Sequence, residues 1–148
     1  MALKSDRYEL QTDISFFYNA GTATRGGVVS HAATAGSGAA MDQGVALVEY
    51  AAATTGTPVG ILLNDVVNKD LTRTHLNFYK DEVQVGSKVT VLRKGWVVTD
   101  TVDGTPVAGD DAFLGANGDI ATTGTVVVGK FLSTKDADGY CKVEVNLP

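Results

Sequence analysis

The residue types that carry out most enzyme chemistry are few in this sequence and lie far apart. The 148 residues include two histidines, His31 and His75, and one cysteine, Cys141. No H-E-x-x-H or C-x-x-C pattern brings metal ligands together, and no G-x-S-x-G elbow supports a triad built on His75 and Asp81. The sequence therefore predicts a protein that is not an enzyme, and we interpret the two histidines and the cysteine as ordinary strand or loop residues.

Three short stretches begin like known binding motifs and then depart from them. Gly36–Met41 starts like a dinucleotide fingerprint, but Met41 stands in the place of the third glycine. Asp136–Gly139 starts like a calcium loop, but Leu147 occupies the position of the bidentate glutamate, so we interpret it as a hairpin turn. The pair at 110–111 has no further acidic residue close in sequence. We expect no cofactor and no metal ion.

Aromatic residues are the remaining candidates for a binding site. They are Phe16, Phe17, Tyr18, Phe78, Tyr79 and Trp96. Such a group can form a platform that stacks on sugar rings, but more often it fills a core or an oligomer interface. We favour the core or interface, and we expect Trp96 to anchor one of the two.

Composition restricts the class of protein further. The 17 glycines, 44% hydrophobic and 20% charged residues suit a globular chain built from strands and turns. A net charge of −5 argues against a nucleic-acid partner. No apolar run is long enough to span a membrane, the first residues lack the apolar core of a signal peptide, and a single cysteine fits a reducing cytoplasm. We expect synthesis in the cytoplasm and no membrane partner.

Alternating patterns predict an all-β fold centred on Val83–Thr99. We interpret this stretch as two short strands with turns at Gly86-Ser87 and Lys94-Gly95. For 64–80, a loop leading into a strand and a helix remain open. The other predicted strands are Gly27–His31, Val45–Ala52, Thr57–Leu63, Asp111–Leu114, Thr125–Leu132 and Tyr140–Leu147, and the predicted hairpin turns are Asp103-Gly104, Asn117-Gly118 and Asp138-Gly139.

The N-terminal segment has the most regular alternation in the chain. One side of Tyr8–Tyr18 carries only uncharged side chains, which predicts one extended strand or arm. Such a strand promotes aggregation unless it is covered, so we expect an N-terminal arm over 1–20 that contacts another chain, followed by a single β domain over 21–148. The candidate assembly contacts are Tyr8, Leu10, Ile14, Phe16, Tyr18 and Trp96.

Two parts of the β domain resemble each other. A-T-T-G-T occurs at 53–57 and again at 121–125, and the blocks that begin at Arg25 and Arg93 match at the same offset. Agreement of separate blocks at one offset predicts an internal repeat over about 25–63 and 93–132. The two halves would then pack together as one compact β-sandwich or barrel.

Several segments resemble the capsid cement or decoration proteins of tailed bacteriophages. They are TPVGILL at 57–63, DEVQVGSKVTVLRKGWVVT at 81–99, GTPVAGDDAFLGANGDIATTGTVVVGKFLS at 104–133 and GYCKVEVNLP at 139–148. The resemblance implies a small, non-enzymatic, all-β virion protein, often a homotrimer. It would bind the outer surface of a phage head and stabilise contacts between major capsid protein subunits.

A second interpretation belongs to a different class. A head-fibre or carbohydrate-binding β-sandwich would present its aromatic residues to host glycans. Binding to a glycan array would favour this alternative, whereas co-purification with full heads would favour the cement protein.

Overall fold

The computed structural model describes residues 3–19, 23–32, 46–52, 54–63, 82–83 and 87–148. No helix within these ranges is long and apolar enough to cross a bilayer. The all-β prediction is confirmed. The elements are β1 (Tyr8–Tyr18), β2 (Ala23–Thr24), β3 (Val28–His31), β4 (Leu47–Glu49), β5 (Pro58–Leu62), β6 (Glu82–Val83), β7 (Lys88–Thr99), β8 (Val102–Asp103), β9 (Asp111–Leu114), the 3-10 helix η1 (Ala116–Gly118), β10 (Ile120–Ala121), β11 (Val127–Phe131) and β12 (Cys141–Asn146).

The long strand β7 joins the two parts of the main sheet. It pairs with β1 along one edge and with β5 and then β12 along the other. The predicted turn at Lys94-Gly95 is wrong, because β7 runs through it without interruption. Gly95 has a φ of +139°, and a Cβ at this position would clash with the Tyr8 carbonyl. The glycine therefore marks a close approach of two strands rather than a reversal of the chain.

Five strands close into a ring in the order β1-β4-β3-β5-β7, because β1 pairs with both β4 and β7. The β1–β4 pair is parallel, and the other pairs of the ring are antiparallel. Each ring strand contributes to one buried cluster, the N-terminal core. Its members are Phe16, Tyr18, Ala23, Val29, Val48, Val59, Leu62, Val83, Val89 and Val91. This half of the molecule is a small barrel.

The sheet continues from β7 through β12, β11, β9, β10 and β8. A second buried cluster, the C-terminal core, combines these strands with residues of the ring strands β3, β5 and β7. Neighbouring residues of one strand thus serve different cores: Val29 and Leu62 face the N-terminal core, whereas Val28 and Ile61 belong to the C-terminal core. Burial on both faces explains why these strands are continuous apolar runs rather than alternating ones.

Tyr50 links the barrel to the C-terminal part. Its hydroxyl accepts a hydrogen bond from the Gly27 N–H at 3.0 Å and donates one to the Thr24 carbonyl. Its ring lies against Gly118, where a Cβ would clash with it. Burial raises the pKa of the Tyr50 hydroxyl, so it remains a neutral donor.

The predicted hairpin dipeptides have the expected backbone. Gly104, Gly118 and Gly139 have φ values of +88°, +83° and +86°, and Asn117 is also left-handed at +56°. Only glycine and a few polar residues adopt this region at low cost. The predicted hairpin at Asp103-Gly104 is nevertheless wrong, because β8 pairs in parallel with β10 and not with β9, the strand that follows it.

The predicted strand Tyr8–Tyr18 is confirmed, and it lies in the main sheet of its own chain. Residues 3 and 4 extend the contact, since Leu3 bridges to Thr99 and the Lys4 N–H donates to Val98 O. The division into an arm over 1–20 and a domain over 21–148 stays a prediction, as does the repeat over 25–63 and 93–132. Within that repeat, β3 pairs directly with β5, whereas β7 and β11 are joined through β12.

Candidate assembly surface

Two of the three histidine and cysteine side chains lie in the described residues, and both pack against the protein's own fold. Cys141 is buried, its thiol donates to Ser133 O at 3.0 Å, and burial raises the thiol pKa, so the nucleophilic thiolate is disfavoured. His31 is exposed and packs edge-on against Phe16, with ring centroids 5.9 Å apart. His75 lies outside the described residues. Among the residues that the structure describes, no group of three potential ligands gathers into a metal site.

The loop that begins like a calcium site is a turn stabilised by its first aspartate. One carboxylate oxygen of Asp136 accepts hydrogen bonds from the backbone N–H groups of Asp138 and Tyr140, both at 2.9 Å. The other accepts the Lys4 ammonium at 2.8 Å. The hydrogen bond from Lys4 is the main cause that holds the Asp136 pKa below its usual value. Both oxygens are therefore engaged in closing the hairpin and in attaching the N-terminal segment.

The first half of β1 presents apolar side chains to solvent. Tyr8, Leu10 and Ile14 are 53%, 66% and 60% exposed. We call these three residues the β1 ridge. Large apolar side chains with this exposure on a single strand are typical of an interaction surface.

The other predicted contacts on β1 lie inside the protein. Phe16 and Tyr18 are buried in the N-terminal core, and Tyr18 also packs edge-on against Tyr50. The alternating residues of β1 are thus exposed in its first half and belong to the core at its end. Sequence alternation alone does not distinguish these halves, because both show the same period.

Trp96 lies next to the ridge at the junction of two strand pairs. Its cross-strand partners are Tyr8 on β1 and Glu144 on β12. The ring is half-buried, and the Lys142 ammonium lies 3.5 Å from its centroid. Such a contact stabilises the cation and covers one face of the ring. Trp96 is therefore partly exposed beside the ridge rather than a fully buried core residue.

A row of polar residues continues across the sheet from Trp96. Glu144, Lys130 and Asp111 are successive cross-strand partners on β12, β11 and β9. Lys130 pairs with Asp111 at 2.9 Å, with both side chains about half exposed. A shallow groove of about 360 Å³ runs beside this row. This row was not predicted from the sequence, because cross-strand register is not visible in local patterns.

Arg93 was also missed as a functional or structural residue. Its guanidinium lies 3.7 Å from the Asp13 carboxylate on β1 and donates to the Pro148 carbonyl. It thereby ties the C-terminal residues to the strand that carries the ridge. Its sequence neighbourhood gave no signal, because β7 also carries Lys88 and Lys94.

These features define the class of the protein: an all-β body with an apolar ridge on its described surface and with Cys141 buried and hydrogen-bonded. The family of phage structural cement proteins, described by E217 gp24 and Pam3 gp6, matches residues 10–146. The chain belongs to this family, and it is a structural phage protein of the virion capsid. The predicted resemblance to capsid cement proteins is confirmed. A search of curated proteins finds no match.

Proposed function

We propose that this protein binds the outer surface of a bacteriophage head and stabilises contacts between neighbouring major capsid protein subunits. The observation that carries the proposal is the β1 ridge, in a chain that belongs to the structural cement family. A protein that acts by adhesion needs apolar surface that its own fold leaves uncovered. Tyr8, Leu10 and Ile14 provide it, and half-buried Trp96 extends it across β7.

The proposal includes further details that the resemblance implied. The protein is made in the bacterial host cytoplasm, assembles as a homotrimer, and takes its place on the head without catalysing a reaction. The free thiol of Cys141 supports synthesis in a reducing cytoplasm, because a single buried thiol forms no disulfide within the chain. Sedimentation equilibrium of the purified protein measures the mass directly; a mass other than three chains would contradict the trimer.

Carbohydrate binding by a head-fibre module finds less support. A sugar platform needs several open aromatic faces, but Lys142 covers one face of Trp96, the Phe16 and Tyr18 rings are buried, and Phe17 is half-buried. Phe78 and Tyr79 lie outside the described residues. We therefore retain the cement function.

Reconstitution tests the proposal. Heads are prepared from a phage that lacks this protein, the purified protein is added, and the temperature of DNA release is measured. We expect binding to saturate and the release temperature to rise, because a ligand of the intact shell stabilises it by mass action. Heads that already carry the protein are the control and should not change. Failure to bind deficient heads would contradict the proposal, and a positive glycan array would then favour the carbohydrate-binding alternative.

A further inference from the structure

We propose that β1 docks on a capsid subunit through the side chains of Leu10 and Ile14, each projected by a β-bulge, and not by adding a strand to the partner's sheet. The inference rests on the proposed cement function and specifies how the contact is made. It replaces strand addition, which the alternating sequence suggested, with recognition by side chains.

The first bulge leaves Leu10 without a partner in the β1–β7 strand pair. Glu9 pairs with Gly95 and Gln11 pairs with Lys94, which are consecutive on β7, so Leu10 has no opposite residue. Gly95 makes this possible because only a residue without Cβ allows the Tyr8 carbonyl to approach so closely. Bulges re-aim side chains and are frequent beside functional sites. Leu10 accordingly has the highest exposure among the described large apolar residues.

The second bulge contains Ile14. Asp13 pairs with Val91 and Phe16 with Val89, so Ile14 and Ser15 together stand opposite one residue of β7. The Asp13 carboxylate stabilises this conformation by accepting hydrogen bonds from the Ser15 N–H at 2.8 Å and from the Ser15 hydroxyl at 2.5 Å. Asp13 is thus a positioning residue for Ile14. The two projecting side chains lie four residues apart, roughly 13 Å along the strand.

These irregularities decide between strand addition and side-chain docking. Three register shifts occur in the β1–β7 pair, between Glu9 and Gln11, between Gln11 and Thr12, and between Asp13 and Phe16. Strand addition requires a row of regularly spaced backbone donors and acceptors, and bulges are one of the means by which proteins prevent it. The outward edge of β1 is therefore a poor template for another strand.

The charges around the ridge indicate the chemistry of the partner. Glu9 is paired with Arg7 at 2.7 Å, and Asp13 lies 3.7 Å from Arg93. The two acidic side chains next to Leu10 and Ile14 on β1 are thus compensated by arginines of the same chain. The complementary surface on the capsid subunit is an uncharged apolar depression. Apolar contacts of this kind depend little on ionic strength, whereas exposed charge pairs are screened by salt.

Binding of purified variants to protein-deficient heads tests the inference. Leu10→Ala and Ile14→Ala should each weaken binding about tenfold or more, as truncation of a central apolar contact does. Val107→Ala is the matched control, because Val107 is 58% exposed on another part of the surface, and it should bind like the wild type. Raising NaCl from about 50 to about 500 mM should change the wild-type dissociation constant by less than about threefold.

A pair of variants at position 13 separates positioning from direct contact. Asp13→Asn keeps a side-chain oxygen that can accept from Ser15 and should bind like the wild type, whereas Asp13→Ala should weaken binding although Ile14 is intact. Circular dichroism and the melting temperature confirm that each variant is folded.

The outcomes distinguish this inference from the function on which it rests. Wild-type protein that fails to bind heads overturns the proposed function and the inference together. Wild-type binding that Leu10→Ala and Ile14→Ala leave unchanged overturns the inference alone. If these variants lower the mass of the free protein and leave head affinity unchanged, a second copy occupies the ridge and the inference is wrong.

Discussion

At the scale of single residues, the Tyr50 hydroxyl joins two backbone segments of the barrel, at Thr24 and at Gly27. Tyr50→Phe removes the acceptor of the Gly27 N–H and the donor to the Thr24 carbonyl. Leaving the N–H of buried Gly27 unpaired costs about 1–3 kcal/mol, so the free energy of unfolding should fall by that amount. Tyr8→Phe, at an exposed tyrosine, is the control for urea titration. Equal stability of the two variants would contradict the role assigned to Tyr50.

The lowered pKa of Asp13 predicts that the protein loses stability in acid. The hydrogen bond from the Ser15 hydroxyl is the largest cause that lowers the Asp13 pKa, and Arg93 adds to it. A depressed pKa in the folded state stabilises the protein above the usual aspartate pKa, and this contribution is lost as the pH falls through the folded value. Because Asp13→Asn does not titrate, its urea midpoint should fall less between neutral pH and about pH 2 than that of the wild type. Parallel curves would show that this carboxylate contributes nothing to acid sensitivity.

At the scale of elements, two glycines permit neighbouring strands to approach. A Cβ at Gly60 would clash with the Leu92 carbonyl of β7, and a Cβ at Gly129 would clash with the Glu144 carbonyl of β12. Gly129→Ala must therefore separate β11 from β12. Gly109→Ala is a suitable control, because Gly109 has a φ of +98° but nothing within 4 Å of its Cβ position. We expect a loss above the roughly 1–2 kcal/mol of left-handed strain in the control, measured by thermal unfolding. A smaller loss for Gly129→Ala would contradict the close packing of β11 on β12.

The strands also show which features local sequence patterns predict and which they do not. Alternation gave β1 with the observed bounds, and the strand at Asp111–Leu114 likewise agrees with β9. At Gly95 the turn predicted from the glycine was wrong, because a glycine required for close approach has the same appearance in sequence as a glycine required for a turn. The exposed and buried halves of β1 could not be separated either. Their difference arises from the ring, in which β4 pairs only with Phe17 and Tyr18.

At the scale of the whole molecule, β1 belongs to the fold and also carries the candidate contact surface. An arm that only contacts another chain could be removed and leave a folded domain. Here, deletion of residues 1–18 removes a ring strand together with Phe16 and Tyr18 of the N-terminal core. Because truncating even one such aromatic side chain costs about 3–5 kcal/mol, we expect the deletion to unfold the barrel. A truncated protein with a cooperative transition at the wild-type temperature would contradict this role of β1.

The most direct test of the cement function is cryo-electron microscopy of the intact virion. We predict density for this protein on the outer surface of the head, in contact with more than one major capsid subunit and with Leu10 and Ile14 facing the shell. Absence of the protein from the head, or its position on a fibre that does not join capsid subunits, would contradict the proposed function.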